Sequence, residues 1–445
     1  MVGVGPRSLS VAPRHRLPAA LAGFAVAALL VSACGNAKPQ VSTSGNANGV
    51  TSDSITVGNV ASLSGPIPAD FSSVSTGVEA YFDMVNAEGG VNGRKILFPK
   101  SDQLDDQTDG SIDANAVRIL VQQDHVFALV GVATPVFAGA NFLVSQDVPA
   151  FGYAISPDWT AGDNLFGAEG SYIDFASPGP EPAFLAQQVG ARKVGLLAYS
   201  VTESQQGCAG FATVMQRHGI TIAYEDLSIP APAIDLTADV VRMKEAGVQM
   251  VVSCLDVSGN VLLSQTMQQQ SMDHVTQYWL NGYDETTLQQ YKSAMEGVYF
   301  LIPHTPFQLP PSQLPRYPGM QQYLAQMARY FPGQTPSEES LTGWINADLF
   351  VTALRMIGRD VTRSRLIAAV NSLKAYTADG LVTPIDWGAE HDANGPYDCN
   401  VFVQVRNGAF VPVFGSPPSV FTCFAYPQPK VARVSTIPPP AGLPS

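Results

Sequence analysis

Short apolar runs alternate with amphipathic stretches along most of this chain. Residues 55–61, ITVGNVA, have the β-branched, apolar character of a strand. Val74, Val78, Tyr81, Phe82 and Val85 then recur at spacings of three and four, which predicts a helix with one buried face. The stretch NAEGGVNGRKI (86–96) marks the exit from that helix. Gly89 and Gly90 suit the left-handed conformation that ends a helix. Asn92-Gly93 predicts a tight turn, and KILFPK enters the next strand. The alternation continues with a helix over 113–123, a strand in HVFALVG, a helix in TPVFAGANFLVSQ (134–146) and a strand in VPAFGYA. Later strands are expected in KVGLLAY (193–199), ITIAYE (220–225), VQMVVSC (248–254), QYWLNG (277–282) and GVYFLIP (297–303). Short apolar strands separated by helices imply parallel sheets covered on both faces, an α/β fold. Near the end, Asn407-Gly408 sits between two β-rich runs and predicts a hairpin.

The two ends break the pattern. Arg7, Arg14 and Arg16 precede an apolar run from Leu17 to Ala33 that closes on VSAC, which predicts a secretory signal over 1–33. Its length and Pro18 argue against a membrane span. The VSAC ending resembles the bacterial lipoprotein box, and the resemblance implies cleavage before Cys34 and lipidation of that cysteine. Residues 34–53 are rich in Gly, Ser and Asn and read as a flexible tether. Residues 427–445 are Pro-rich and read as a disordered tail.

At 445 residues the chain exceeds one ordinary core, so two domains are expected. A net charge of −13 argues against nucleic acid as a partner. Besides Cys34 there are Cys208, Cys254, Cys399 and Cys423, an even set that suggests disulfides in an exported chain, with three pairings open. No GxSxG elbow, P-loop or HExxH helix occurs, and the histidines at 125, 218, 274, 304 and 391 are scattered. These residues give no expectation of an enzyme, a cofactor or a metal.

The order ITVG…SLSGP, helix, NAEGGVNGRKI, VRILVQQDHVFALVG and VPAF resembles the type I periplasmic binding proteins, and among them the branched-chain amino-acid-binding components of bacterial ABC importers. The resemblance implies two Rossmann-like parallel-sheet lobes joined by three hinge crossings. The crossings would fall near 171–175, 299–303 and 383–387. Lobe one would comprise 54–172 plus 303–382, and lobe two 173–302 plus 383–426. Ligand would be captured in the interlobe cleft and delivered to permease subunits, with the membrane reached through the N-terminal lipid.

An α-amino acid needs partners for both its charges once it leaves water. Thr134 followed by Pro135 looks like a helix N-cap at the carboxyl end of a strand, a place suited to a carboxylate. The family has a pair of hydroxyl residues there, whereas this chain has Ala133-Thr134. The resemblance further implies ligand contacts from Ala154 and Ser156, with Tyr153 narrowing the pocket, and from Phe71, adjacent to Asp70. In lobe two it assigns the ammonium to Asp284, beside Tyr283, and places Gln206 where the family often has tyrosine. It also implies that Cys208 and Cys254 pair at the ends of adjacent strands, leaving Cys399 with Cys423. A second expectation is a sensing receptor lobe that binds an amide, urea or aromatic acid without transport.

Overall fold

The computed structural model describes residues 49–65, 71–172, 178–391, 397–415, 417–425, 433–441 and 443. The signal segment 1–33, Cys34, most of the tether 34–53, Asp70, the end of the first expected crossing (173–175) and the start of the tail (427–432) lie outside the described residues.

Two sheets organise the fold, the first parallel and the second parallel except where Tyr397–Arg406 pairs antiparallel with its neighbours, as the alternation of strands and helices and the expected hairpin predict. In the first, Ser54–Thr56 pairs with Lys95–Leu97 and Asn59–Ala61 with Gln103–Asp105, all parallel. The expected strand 55–61 is split because Gly58 donates to Ala128 O while Val57 donates to Leu97 O, so the chain changes partner midway. Bridges from Gly58 to Leu129 and from Ala61 to Ala133 join these strands to Leu129–Val132, which continues to Ala150–Gly152 and Leu165–Gly167.

The second sheet runs Ala409–Val413, Tyr397–Arg406, Tyr299–Ile302, Thr276–Trp279, Met250–Cys254, Lys193–Tyr199 and Thr221–Ile229. Its first two strands form the expected hairpin, with Arg406 opposite Ala409 and positive φ at both Asn407 and Gly408.

The helix expected over 74–85 spans Val74–Ala87 and packs on Glu338–Ile357. The approach is close enough to require glycine on both sides. A Cβ on Gly77 would stand 1.7 Å from Ser340 O, and one on Gly343 would stand 2.1 Å from Val74 O. Tyr81 and Trp344 meet edge to face beside this contact, 4.7 Å between centroids.

Three expectations need correction. The helix read over 134–146 forms only as Ala140–Ser145, because backbone donors ahead of it are taken by side chains. Val136 N donates to Thr134 Oγ1 at 3.1 Å and Gly139 N donates to the Asp113 carboxylate at 2.7 Å, which holds 134–139 in irregular turns. Cys208 lies within the helix Thr202–Arg217, not at a strand end. The tail packs on the fold over residues 433–441: Ile437 N donates to Cys423 O at 2.9 Å, and Val434 and Leu443 are buried. Its spaced apolar residues find core partners that its proline content obscures.

Both cysteine pairings are present, Cys208–Cys254 and Cys399–Cys423. Among the described residues no helix is long and apolar enough to cross a membrane.

Candidate functional site

A cleft of 1980 Å³ opens at the carboxyl ends of the parallel strands of both sheets. That is where open α/β sheets present loops free of ladder hydrogen bonds. After Leu129–Val132 come Pro135 and Val136, and after Ala150–Gly152 come Tyr153 and Ile155. From the second sheet come Tyr199, the run Cys254–Val257 that follows Met250–Cys254, and the run 280–284 that follows Thr276–Trp279. Ser171, Pro303 and Thr383, one from each expected crossing, line the same space. Those segments also touch one another. His304 bridges to Val382, Thr305 N donates to Leu381 O at 2.7 Å, and Ser171 Oγ donates to Glu390 O at 2.7 Å.

The structure brings four of the expected contacts together on this lining: Phe71, Tyr153, Tyr283 and Asp284. Phe71 and Tyr153 face each other with centroids 6.4 Å apart. Tyr283 is buried against Phe307 at 4.2 Å, and its hydroxyl accepts from Phe307 N at 3.1 Å. Burial pushes that hydroxyl's pKa well up, so it stays a neutral phenol. Asp284 caps the helix Glu285–Gln290 by accepting from Thr287 N at 2.6 Å, and its backbone bridges to Ser337. Capping uses Oδ1, while the residue still borders the cleft.

The other four are not among the described lining residues. Thr134 is fully buried, and its hydroxyl is shared between Val136 N and Ser62 Oγ, the latter at 3.3 Å. Since the helix starts only at Ala140, no helix N-terminus stands at Thr134. Ala154 and Ser156 are buried, and Ser156 Oγ donates to Asp158 Oδ2 at 3.2 Å. Gln206 is exposed on its helix. Ser204, from the same helix, lines the cleft instead and donates to Cys254 O at 2.6 Å.

Sequence reasoning missed the charge of the lining. Glu169, Glu181, Asp256, Asp284, Glu338 and Glu390 all border the cleft. Lys374 is the lysine among the described lining residues, no arginine is among them, and Lys374 is held by Asp386 at 2.9 Å. Most of these acids have structural partners. Asp256 accepts from the Tyr199 hydroxyl and from Gly259 N at 2.8 Å, capping Val257–Gln269, and Glu181 accepts from Asn400 Nδ2 at 3.1 Å. Among the described residues no cluster of His, Cys, Asp and Glu could hold a metal ion.

Glu169 differs. It follows Leu165–Gly167 just ahead of the first expected crossing, in the stretch FGAEGS. The residue as a whole is partly exposed, yet both carboxylate oxygens are closed to solvent and neither has a hydrogen-bond partner beyond its own residue. Burial pushes its pKa from 4.5 up to about 8, with its own amide a lesser opposing effect. The folded chain thus holds this proton to about pH 8, whereas the unfolded chain releases it near 4.5. Folding takes up a proton between those values, so stability falls as pH rises through that window. Glu169→Gln cannot titrate and should flatten this part of the curve. Urea midpoints of parent and variant that keep a constant difference from about pH 5 to about pH 8 would show that the carboxyl titrates normally.

A family model described as periplasmic binding protein matches residues 54–409. The chain is 24% identical over 248 residues to Leu/Ile/Val-binding protein homolog 3 of Brucella melitensis, a match covering 51% of this chain and 64% of that protein. The chain thus spans less than two thirds of that relative. It is 23% identical over 381 residues to Leu/Ile/Val-binding protein homolog 7 of Brucella suis, covering 81% of this chain and 91% of that one. Among solved structures it resembles a fatty acid ABC transporter substrate-binding protein from Thermomonospora curvata, with TM-score 0.66, 18% identity and coverage of 82% and 92%. It also resembles a branched-chain amino acid transporter substrate-binding protein from Streptococcus pneumoniae in complex with isoleucine, with TM-score 0.65, 18% identity and coverage of 81% and 100%. With the family model spanning both sheets and the cleft at their strand ends, this chain belongs to the periplasmic binding protein family.

Proposed function

We propose that this protein captures a small organic solute bearing an ammonium group, an amino acid or a related amine, and hands it to an ABC permease. The observation that carries the reading is the cleft between the two sheets, with Tyr283 and Asp284 on one wall and Phe71 and Tyr153 on the other. Lobe one is 54–172 plus 303–382, and lobe two is 173–302 plus 383–426. The three crossings act as hinges, and closure brings the walls together over the solute. Cys34 carries the lipid that holds the protein at the outer face of the membrane.

Asp284 has one carboxylate oxygen committed to its helix cap, and the other is assigned to the ammonium. A charge-assisted hydrogen bond there is worth about 1.5–3 kcal/mol. Asp284→Asn keeps a capping oxygen and removes the charge. It should weaken binding of leucine or of 3-methylbutylamine by roughly tenfold or more while leaving the unliganded melting temperature near that of the parent. Thermal-shift titrations measure both quantities. Equal affinity in parent and variant would sink the assignment of Asp284. Failure of every amino acid and amine to raise the melting temperature would sink the reading itself.

A further inference from the structure

We infer that the solute taken by this cleft is a net cation, an amine or quaternary ammonium compound without a balancing carboxylate, and that Glu169 joins Asp284 as its counter-ion. The inference rests on the reading of the cleft as a solute site and specifies the charge of the solute.

Buried carboxylates in folded proteins are paired with cations or hydrogen-bond donors, and exceptions call for a functional account. Glu169 is such an exception, with both oxygens buried and unpartnered among the described residues at the edge of an open cleft. Its raised pKa reflects the same lack of partners. A cation lodged beside it once the cleft closes would supply the missing partner, and the carboxyl would release its proton to solvent as the pair forms.

The remaining lining agrees. A ligand carboxylate would need arginine, lysine or a group of free donors. Among the described lining residues there is no arginine, and the lysine present is engaged by Asp386. Thr134, the hydroxyl expected to receive a carboxylate, is buried off the described lining, where its oxygen accepts from Ser62 Oγ and Val136 N. A carboxylate would also approach Glu181, Glu338 and Glu390, where like charges repel. Tyr153, Tyr172 and Tyr278 stand on the same lining, and aromatic rings attract cations over their faces.

The test is calorimetric titration of the purified protein with three probes that share one carbon skeleton: leucine, 3-methylbutylamine, which lacks the carboxylate, and 4-methylpentanoate, which lacks the ammonium. Phenethylamine, choline and putrescine extend the cation set. The expected result is that at least one cation binds roughly tenfold or more tightly than leucine, and that 4-methylpentanoate does not bind. Glu169→Gln should weaken that cation by roughly tenfold or more, and Glu169→Asp should restore part of the loss. Circular dichroism and the unliganded melting temperature confirm that both variants fold. Tighter binding of leucine than of every cation, binding of 4-methylpentanoate, or cation affinity unchanged in Glu169→Gln would each overturn the inference. If leucine or 4-methylpentanoate binds and no cation does, the cleft remains a solute site and only its charge assignment is lost. If no probe of any charge binds, the inference fails together with the reading beneath it.

Discussion

Gly77→Ala should destabilise this protein by about 2 kcal/mol or more, even though alanine is the better helix former. Gly77 lies inside the helix Val74–Ala87, and propensity alone would favour alanine there by about 1 kcal/mol. Packing reverses the sign. The added methyl would stand 1.7 Å from Ser340 O, a backbone atom near the start of the helix Glu338–Ile357. A backbone carbonyl cannot swing aside as a long side chain can, so the two helices must separate and the contact between Tyr81 and Trp344 must open with them. The measurement is the urea midpoint at constant slope. A higher midpoint would show that the helices give way at no cost, against the packing argument. The same pair of helices carries Ser73 and Ser337, whose hydroxyls meet at 2.7 Å on the cleft lining, so the variant should weaken solute binding as well.

Replacing Cys208 and Cys254 together by alanine should lower stability by about 4 kcal/mol, by the loop-entropy estimate for a separation of 46 residues. The bridge ties the helix Thr202–Arg217 to the end of the strand Met250–Cys254, and Cys254 itself borders the cleft. Its loss frees the unfolded chain and loosens the strand end from which Leu255 and Asp256 enter the cleft lining. The corresponding change at Cys399 and Cys423, separated by 24 residues, should cost slightly less, about 3.5 kcal/mol. It acts where Tyr397–Arg406 pairs with Thr422–Ala425. Denaturant midpoints of the two double variants compare the effects directly. An unshifted midpoint for the Cys208 and Cys254 variant would mean that the bridge does not constrain the unfolded chain.

Local signals in the sequence were accurate where short-range geometry decides the outcome. The strand Lys193–Tyr199 matches its apolar run, and the hairpin turn falls on Asn407-Gly408, because those residues adopt positive φ at little cost. Gly89, Gly90, Asn92 and Gly93 likewise all take positive φ between helix and strand. The reading of 134–146 as one helix failed for a non-local reason: the Asp113 carboxylate, brought from the preceding helix, takes the Gly139 amide. That one misplaced helix start also removed the expected carboxylate site at Thr134. The reading of the tail failed because Ile437 bridges back to Cys423 on the strand Thr422–Ala425, a pairing its proline content obscures.

The candidate site divides along the same line. Tyr283 and Asp284 were placed on the lining by the family resemblance of NGYDET, whose loop follows a strand end that fixes where it emerges. Glu169 was not, although it too follows a strand, because a lone acid between small residues reads as solvated until its surroundings are known. The alternation of strands and helices, the turns, the cysteine inventory and the family resemblance could all be read from residues in order, since each depends on neighbours along the chain. The sign of charge on the cleft, the isolation of Glu169 and the glycine-to-backbone contact of Gly77 could not. They arise from segments more than a hundred residues apart meeting in space, and only the tertiary structure specifies which groups are left without water and without partners.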